Sequence, residues 1–413
     1  FNNGDFFGFI NYPINTSSYY LEYPNGTDIV VTKFSADGSN LLASTFIGGS
    51  KNDGINESGA NNINGNKLCY FYADEYRGEI TLDSFGNCYV ASSSSSIDFP
   101  LLNPSQTTIG GLQDAVAFKL NPNLTSLLWS TYIGGSDDDA GYSIQLNNQE
   151  QALICGGTIS NDLFTSSNSL NQNYGGNIDG FIQKHNTLNG NILASSYIGD
   201  SGFNQCYFVQ VDTDDNVYLY GLTNSPYTIY PSNVYNSLGA QFIHKLDSNL
   251  STTIVSSSFG NGNLSRNITP SAFLVSDCGL IYISGWGGLN INNGNISNMP
   301  IVNPTQSTTN GGDFYLAVFL PDMQSMIYGS YFGGSSSNEH VDGGTSRFDK
   351  NGKIYQAVCA GCQGNNDFPT TPNVYSSVNG SSGCNLGAFK LDLESIYATI
   401  SLPSYFSCLP NSC

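Results

Sequence analysis

The sequence predicts an all-β protein, a β-propeller built from four-stranded antiparallel blades, six in number with seven as the alternative. Three observations lead to this prediction: a hairpin motif that recurs along the chain, a second motif between its copies, and a composition rich in strand and turn residues. The chain has 413 residues with 46 Gly, 26 Tyr and 24 Phe, and only 11% of its residues are charged. Such a composition favours strands and tight turns over helices.

The first motif consists of two runs of alternating apolar residues around a polar turn. Its clearest copy reads DAVAFKL at 114–120 and LLWSTYIGGS at 127–136. Alternation on both sides of a short turn is typical of a β-hairpin. Six copies predict six blades, and they start near residues 28, 114, 179, 241, 313 and 385.

The second motif combines a first strand, an Asp-x-x-Gly-Asn turn and a strand rich in Tyr and Val, as at 79–100. The aspartate caps the turn and the glycine supplies a positive φ, so these acids are turn residues rather than metal ligands. Together the two motifs give four strands per repeat, which is typical of a propeller blade. We expect one propeller domain over 1–413, with an insertion at 55–76. Further copies lie at 141–157 in degenerate form, 208–221, 272–285 and 346–369.

The charge balance limits the partners. The chain carries 32 Asp and Glu against 12 Lys and Arg, a formal net charge of -20. So few cations cannot neutralise a run of phosphates, which argues against binding to nucleic acid or to an anionic membrane surface. No apolar run approaches the roughly 18 residues of a membrane helix. Few lysines and many Asn, Ser and Thr residues fit an exported protein on the outer cell surface or outside the cell.

The first residues read as the middle of a repeat, with the second strand of a blade at 6–11. We therefore expect the chain to be a piece of a longer multidomain protein, whose other domains are among its partners.

The ten cysteines favour structural disulfides in an oxidising compartment over two other interpretations. Cys359-Ala-Gly-Cys362 would need a second cysteine pair to form a zinc site, and a βαβ setting to form a redox pair. The candidate disulfide pairs are Cys359 or Cys362 with Cys384, Cys408 with Cys413, and Cys69 with Cys88.

Candidate ligand sites are few. The acidic run Asp137, Asp138 and Asp139 could offer oxygens to calcium, the only cofactor considered, but it lacks the spaced order of a calcium loop and does not recur in the other repeats. Without it we expect no cofactor. His185 and His244 occupy equivalent repeat positions, and no catalytic set stands out.

Loop aromatics are the candidate binding residues, because aromatic rings stack on sugars and anchor protein interfaces. They are Trp286, in a Gly-rich stretch that leads into an Asn-rich loop, and Tyr227 and Tyr230.

Several segments resemble the bacterial β-propeller repeat known as the SBBP family. They are STYIGGSDDDAGYSI at 130–144, AFKLNP at 117–122, GNCYVA at 86–91 and NDFPTTPNVYSSVNG at 366–380. The stretch VCAGCQGNNDFPTTPNVYSS, followed by CNLGAFKLDL, is similar to the form found in large secreted Bacteroidetes proteins that are linked to gliding motility or type IX secretion. The resemblance implies a cell-surface location and neighbouring adhesion domains, and it brings no catalytic residues.

The sequence therefore predicts a non-enzymatic propeller module that acts in adhesion or as a scaffold for proteins or surface glycans. Two alternatives stay open. One is an extracellular polysaccharide-active propeller enzyme, which requires two carboxylates, or histidine with a metal, at the central channel. The other is a structural subunit of an extracellular filament or surface layer.

Overall fold

The computed structural model describes residues 26–58, 68–71, 74–265, 267–288, 294–341 and 347–393. Within them the chain is all-β, apart from single-turn 3-10 helices at Asp74–Tyr76 and Cys362–Gly364. In these residues no helix has the length and apolar character needed to cross a bilayer.

Four blades are complete antiparallel sheets whose strands pair in chain order. The first comprises β3 (Glu79–Leu82), β4 (Cys88–Ser94), β5 (Asp114–Leu120) and β6 (Leu127–Ile133). The second comprises β7 (Asp139–Leu146), β8 (Ala152–Thr158), β9 (Asp179–His185) and β10 (Ile192–Ile198). The third comprises β11 (Asn204–Val211), β12 (Val217–Thr223), β13 (Gln241–Leu246) and β14 (Thr253–Phe259). The fourth comprises β15 (Thr269–Val275), β16 (Ile281–Trp286), β17 (Phe314–Phe319) and β18 (Met326–Phe332).

A fifth blade contributes three described strands, β19 (Arg347–Phe348), β20 (Lys353–Ala360) and β21 (Asn385–Asp392). A separate hairpin, β1 (Ile29–Phe34) with β2 (Leu41–Ile47), precedes the first blade. It packs its buried residues Val31, Ala43 and Ile47 against apolar side chains of that blade.

The innermost strands form a ring, in which β3 packs beside β7, β7 beside β11, β11 beside β15 and β15 beside β19. Arg347 of β19 then bonds to Glu79 of β3 and closes the ring. The protein is thus a five-bladed propeller, and neither the predicted six blades nor seven is confirmed. The count of six included β1–β2, a copy of the outer hairpin that has no inner pair among the described residues.

The turn chemistry follows the prediction. In the first blade the Asp83 carboxylate accepts hydrogen bonds from the Phe85 and Asn87 amides at 3.0 and 2.8 Å, while Gly86 adopts φ 80°. Asp212 and Asp349 cap the equivalent turns of the third and fifth blades in the same way. The predicted strand at 6–11 lies outside the described residues.

Candidate functional site

The insertion predicted at 55–76 enters the centre of the ring. Leu68 and Phe71 are buried there against residues of the second and third blades. The Leu68 carbonyl accepts hydrogen bonds from Tyr142 Oη at 2.7 Å and Gln205 Nε2 at 2.9 Å, and Tyr70 stacks on Phe203 at 3.9 Å between ring centroids. The described part of the insertion therefore acts as a plug of the central channel.

An ion pair anchors this plug. Arg77 Nε lies 2.6 Å from Asp74 Oδ1, with both side chains buried. Asp74 Oδ2 also accepts the hydroxyl of Tyr207 at 2.9 Å, and Arg77 Nη2 donates to the Pro270 carbonyl at 2.9 Å. Burial raises the pKa of Tyr207 well above its usual value, so its phenol stays protonated. These groups bond to one another and hold the channel shut.

A second ion pair, between Glu79 and Arg347, lies at the same ring. Glu79 is buried and accepts hydrogen bonds from Ser143 Oγ and the Ile144 amide, besides that from Arg347. Burial raises the pKa of Glu79, and the Arg347 guanidinium opposes that shift. Arg347 also donates to the Ile80 carbonyl at 2.7 Å, yet 44% of its side chain is exposed. It is the accessible member of the pair.

The described residues leave a cleft of about 540 Å³ between the β1–β2 hairpin and strand β3. Arg347, Glu79 and Tyr76 line it on the ring side, and Asp28 and Asp53 line it on the hairpin side. Tyr76 is 55% exposed and offers an aromatic face. The cleft thus combines three carboxyl groups, an accessible guanidinium and an aromatic ring, a set of groups that suits a sugar chain.

Asp28 and Asp53 form a close pair. A Cβ placed on Gly48 would lie 2.2 Å from Asp28 Oδ1 and 2.8 Å from Asp53 Oδ2, so the two carboxyl groups flank this glycine. Burial, reinforced by the charge of Asp53, raises the pKa of Asp28 to about 6. Asp53 accepts hydrogen bonds from the Gly49 amide and from Ser94 and Ser96, whereas Asp28 Oδ2 has none. Burial also raises the pKa of Asp53, and these three hydrogen bonds oppose that shift because they favour the ionised form.

The same pair recurs at other junctions between sheets. Asp114 and Asp139 flank Gly134, and Asp313 and Glu339 flank Gly333. All four of these acids are buried, whereas Asp28 is half-buried and faces the cleft. In the described structure, the first junction is therefore the one whose carboxyl pair has a member, Asp28, at an open cleft.

The predicted binding aromatics do not form one face. Trp286 is buried in β16 and packs beside His340, with ring centroids 5.7 Å apart, so it is a core residue. Tyr227 is buried as well, stacked on Phe242 and hydrogen-bonded to His244 Nδ1 at 2.8 Å. Tyr230 is 54% exposed but stands apart from both. Strand alternation could not distinguish a loop aromatic from one that turns inward.

The three aspartates of the acidic run at 137–139 also lie in different environments. Asp139 is buried in its pair with Asp114, and Asp138 Oδ1 accepts the Leu112 amide at 2.8 Å. Asp137 is exposed. The run therefore does not converge as a set of calcium ligands, because the strand start turns its last member into the interior.

The cysteines give one disulfide of the predicted set, Cys362–Cys384, which was one of the two options for Cys384. The structure does not join Cys69 to Cys88: the thiol of Cys69 donates to the Asn56 carbonyl, and Cys88 is buried in β4. Cys408 and Cys413 lie outside the described residues.

Sequence patterns did not single out five residues of this cleft: Asp28, Asp53, Tyr76, Glu79 and Arg347. A usable signal existed for the first two, because an acid opens most copies of the hairpin motif and another follows the Gly-Gly by five or six residues. Glu79 and Arg347 lie in copies of the second motif and Tyr76 lies at the end of the insertion, but no pattern marks these three residues, so only their neighbours in space single them out.

No protein-family model matches the chain, and no curated protein matches it in sequence. Solved structures match it in fold. A polysaccharide lyase of family PL25, an ulvan lyase, is 13% identical over 82% of this chain and 72% of its own, with a TM-score of 0.40. The NanB sialidase from Streptococcus pneumoniae is 10% identical over 80% and 63%, with a TM-score of 0.39. The GH43 protein BlXynB from Bacillus licheniformis is 14% identical over 70% and 48%, with a TM-score of 0.34.

The prediction that the chain is not an enzyme is not borne out: the solved structures that it resembles in fold include a polysaccharide lyase, a sialidase and a GH43 protein. At such low identity the likeness concerns the fold alone.

Proposed function

We propose that this protein is an extracellular polysaccharide-active propeller enzyme that cleaves glycosidic bonds in the cleft beside β3. The observation that carries the proposal is the Asp28–Asp53 pair, two neighbouring carboxyl groups at the cleft, of which Asp28 is half-buried and has a raised pKa. Hydrolysis of a glycosidic bond uses two carboxyl groups, one as the acid and the other as the base or nucleophile. The equivalent pairs at Gly134 and Gly333 are fully buried, whereas Asp28 faces the cleft.

Each group has a role that its surroundings support. Asp28, with a pKa near 6, donates its proton to the leaving glycosidic oxygen. Asp53 accepts three hydrogen bonds that favour its ionised form, in which it stabilises positive charge that develops on the sugar ring. Arg347 has used two of its five N–H donors on Glu79 and Ile80, so its remaining donors can bind sugar hydroxyl or carboxylate oxygens. Tyr76 stacks against a sugar ring.

The extracellular location is part of the proposal. The Cys362–Cys384 disulfide and the low content of Lys and Arg support it. The relation to SBBP-type surface proteins of Bacteroidetes rests on the motifs quoted above.

The test is a panel of neutral and acidic polysaccharides incubated with the purified protein, with new reducing ends as the readout. We expect Asp28→Asn and Arg347→Gln to reduce turnover by at least about 100-fold. The matched control is Asp114→Asn, which changes the equivalent acid at a buried junction and leaves turnover unchanged. Folded protein without turnover on the whole panel, or an active Asp28→Asn variant, would overturn the proposal. Products with a new carbon–carbon double bond would assign elimination and rule out the acid role of Asp28.

The pH dependence gives a second test. Because Asp28 acts in its protonated form, kcat/KM should fall as the pH rises above about 6. Rates measured between pH 4 and 9 would check this. A profile that is flat through pH 6 argues against Asp28 as the acid.

A further inference from the structure

A group of sulfur and nitrogen atoms gathers near the C-terminal end of β20, and none of its residues lines the cleft. The ligand atoms of His340, Cys359 and Cys384 lie within 4.8 Å of one another. The sulfur of Cys362 lies 3.8 Å from His340 Nδ1 and is bonded to Cys384. Three cysteines and one histidine, drawn from three separate stretches of the chain, thus surround one point.

Backbone pairing brings His340 and Cys359 together. The His340 amide donates to the Cys359 carbonyl at 3.2 Å, and the Cys359 amide donates to the His340 carbonyl at 2.9 Å. This isolated antiparallel bridge places the two residues side by side.

The turn that follows returns Cys362 to the same place. Gly361 adopts φ 62°, a left-handed conformation that suits glycine, so the chain reverses directly after β20. The Gly364 amide donates to the Gly383 carbonyl at 3.0 Å, and Asn379 Nδ2 bonds to the carbonyls of Gly361 and Gly383 at 2.8 and 3.2 Å. These bonds place Cys384 beside the turn, and none of them involves sulfur.

The donor set has the chemistry of a structural zinc site. Such sites are tetrahedral and use Cys3His ligands with two cysteines separated by two residues. Metal bonds of about 2.3 Å to sulfur and about 2.0 Å to nitrogen put neighbouring ligand atoms about 3.5–3.8 Å apart. The observed separations, 3.8 Å and within 4.8 Å, are close to that arrangement.

We propose that the reduced protein binds one Zn²⁺ through Cys359, Cys362, Cys384 and His340, and that this ion and the Cys362–Cys384 disulfide are alternative cross-links of the same loop. A dithiol reductant supplies two electrons and two protons, which open the disulfide to two thiols, and is itself oxidised to a disulfide. Zinc then replaces the thiol protons of the three cysteines, which pass to solvent. The ion holds the three stretches together where the disulfide joins two.

The test uses the whole chain, reduced with a dithiol that is then removed without air. Zn²⁺ titration against a chromogenic chelator should give one tight site, and Co²⁺ should give the visible bands of tetrahedral thiolate coordination. Cys359→Ser and His340→Gln should each weaken binding by more than about tenfold. Cys88→Ala, which removes a buried thiol in β4, is the matched control and should bind as the native chain does.

Two further readouts do not depend on the variants folding. Trp286 contacts His340, so its emission should change with one equivalent of metal, and the melting temperature of the reduced native chain should rise with zinc. Reduced protein that takes up no zinc, or a His340→Gln and a Cys359→Ser variant that both bind like the native chain, would overturn the proposal. Equal affinity of the oxidised and reduced protein would do so as well.

Discussion

Buried acids in pairs are the unusual residues of this chain. Burial raises the pKa of Asp114 to about 8, with the charge of Asp139 adding to the effect, and burial raises the pKa of Asp139 to about 7. One buried oxygen of each carboxyl group has no hydrogen-bond partner in the described structure. At the next junction Asn204 takes the place of the second acid beside Asp179. An amide is therefore accepted at this position, as expected if a pair holds at most one negative charge.

These pKa values predict how stability changes with pH. Between the unfolded value near 3.8 and the folded values of about 7 to 8, the folded chain binds more protons than the unfolded chain. The free energy of unfolding should therefore fall as the pH rises from about 5 to 8. Asp114→Asn should make this decline shallower and should stabilise the protein at pH 8, as measured by urea unfolding.

Asp37→Asn is the control for that experiment. Asp37 lies in an exposed turn, and hydrogen bonds from Ser35 and Ser39 lower its pKa to about 2, so it stays ionised throughout this range. Its substitution should leave the slope between pH 5 and 8 unchanged. A stability that rises with pH in the native chain would contradict the assignment of protons to the buried pairs.

At the level of the elements, the plug determines where the propeller has an accessible site. A central channel is the usual place for a ligand in a ring of blades, yet here Leu68, Phe71 and the Asp74–Arg77 pair fill it. The accessible groups lie instead in the cleft beside the β1–β2 hairpin. The insertion therefore moves the site from the axis to a gap at the side of the first blade.

The ion pair should make the plug sensitive to single changes. Arg77→Ala leaves the buried Asp74 carboxylate without its counter-charge, and we expect a loss of about 3–5 kcal/mol in the free energy of unfolding. The double variant Asp74→Asn with Arg77→Met removes both charges and should lose less than Arg77→Ala alone. Urea unfolding of both variants checks this. A double variant that is less stable than the single one would show that the pair itself stabilises the plug.

At the scale of the whole molecule, the contact between β3 and β19 closes the ring. Glu79 and Arg347 stand 268 residues apart in the chain and join the first blade to the last. Glu79 is buried in this contact, whereas the neighbouring Lys353–Asp392 pair, at 3.6 Å, is partly exposed within the fifth blade. Substitutions in the two ion pairs therefore distinguish the effect of ring closure from the effect of an ion pair within one blade.

We expect Glu79→Ala to lower stability by about 1–3 kcal/mol, because it leaves Ser143 and the Ile144 amide without their acceptor. Amide hydrogen exchange should become faster in β19 and β20 and stay unchanged in β9 and β10. Lys353→Ala should cost less than about 1 kcal/mol, as exposed ion pairs do. Equal exchange in native and Glu79→Ala protein would mean that the ring closes without this pair.

Local chemistry made much of the fold predictable. The Asp-x-x-Gly turns, the hairpins and their spacing are encoded within short stretches, and the structure confirms four-stranded antiparallel blades. The number of blades could not be predicted in this way, because in sequence the β1–β2 hairpin looks like any other copy of the hairpin motif. The site residues were missed for a similar reason. Asp28 differs from Asp114 only in what packs against it, and Trp286 and Tyr227 differ from Tyr230 only in burial.

Sequence alone indicates that the chain is a repeat of antiparallel sheets with glycine turns, that an insertion interrupts it after the first hairpin, and that cysteine density is high near its end. Alternation and turn chemistry act over a few residues, so they can be read from the chain directly. The three-dimensional fold was needed to show that the insertion plugs the axis, that an acid pair of the repeat faces a cleft, and that His340 stands among three cysteines. Those outcomes depend on contacts between distant residues, and such contacts exist only once the ring has closed.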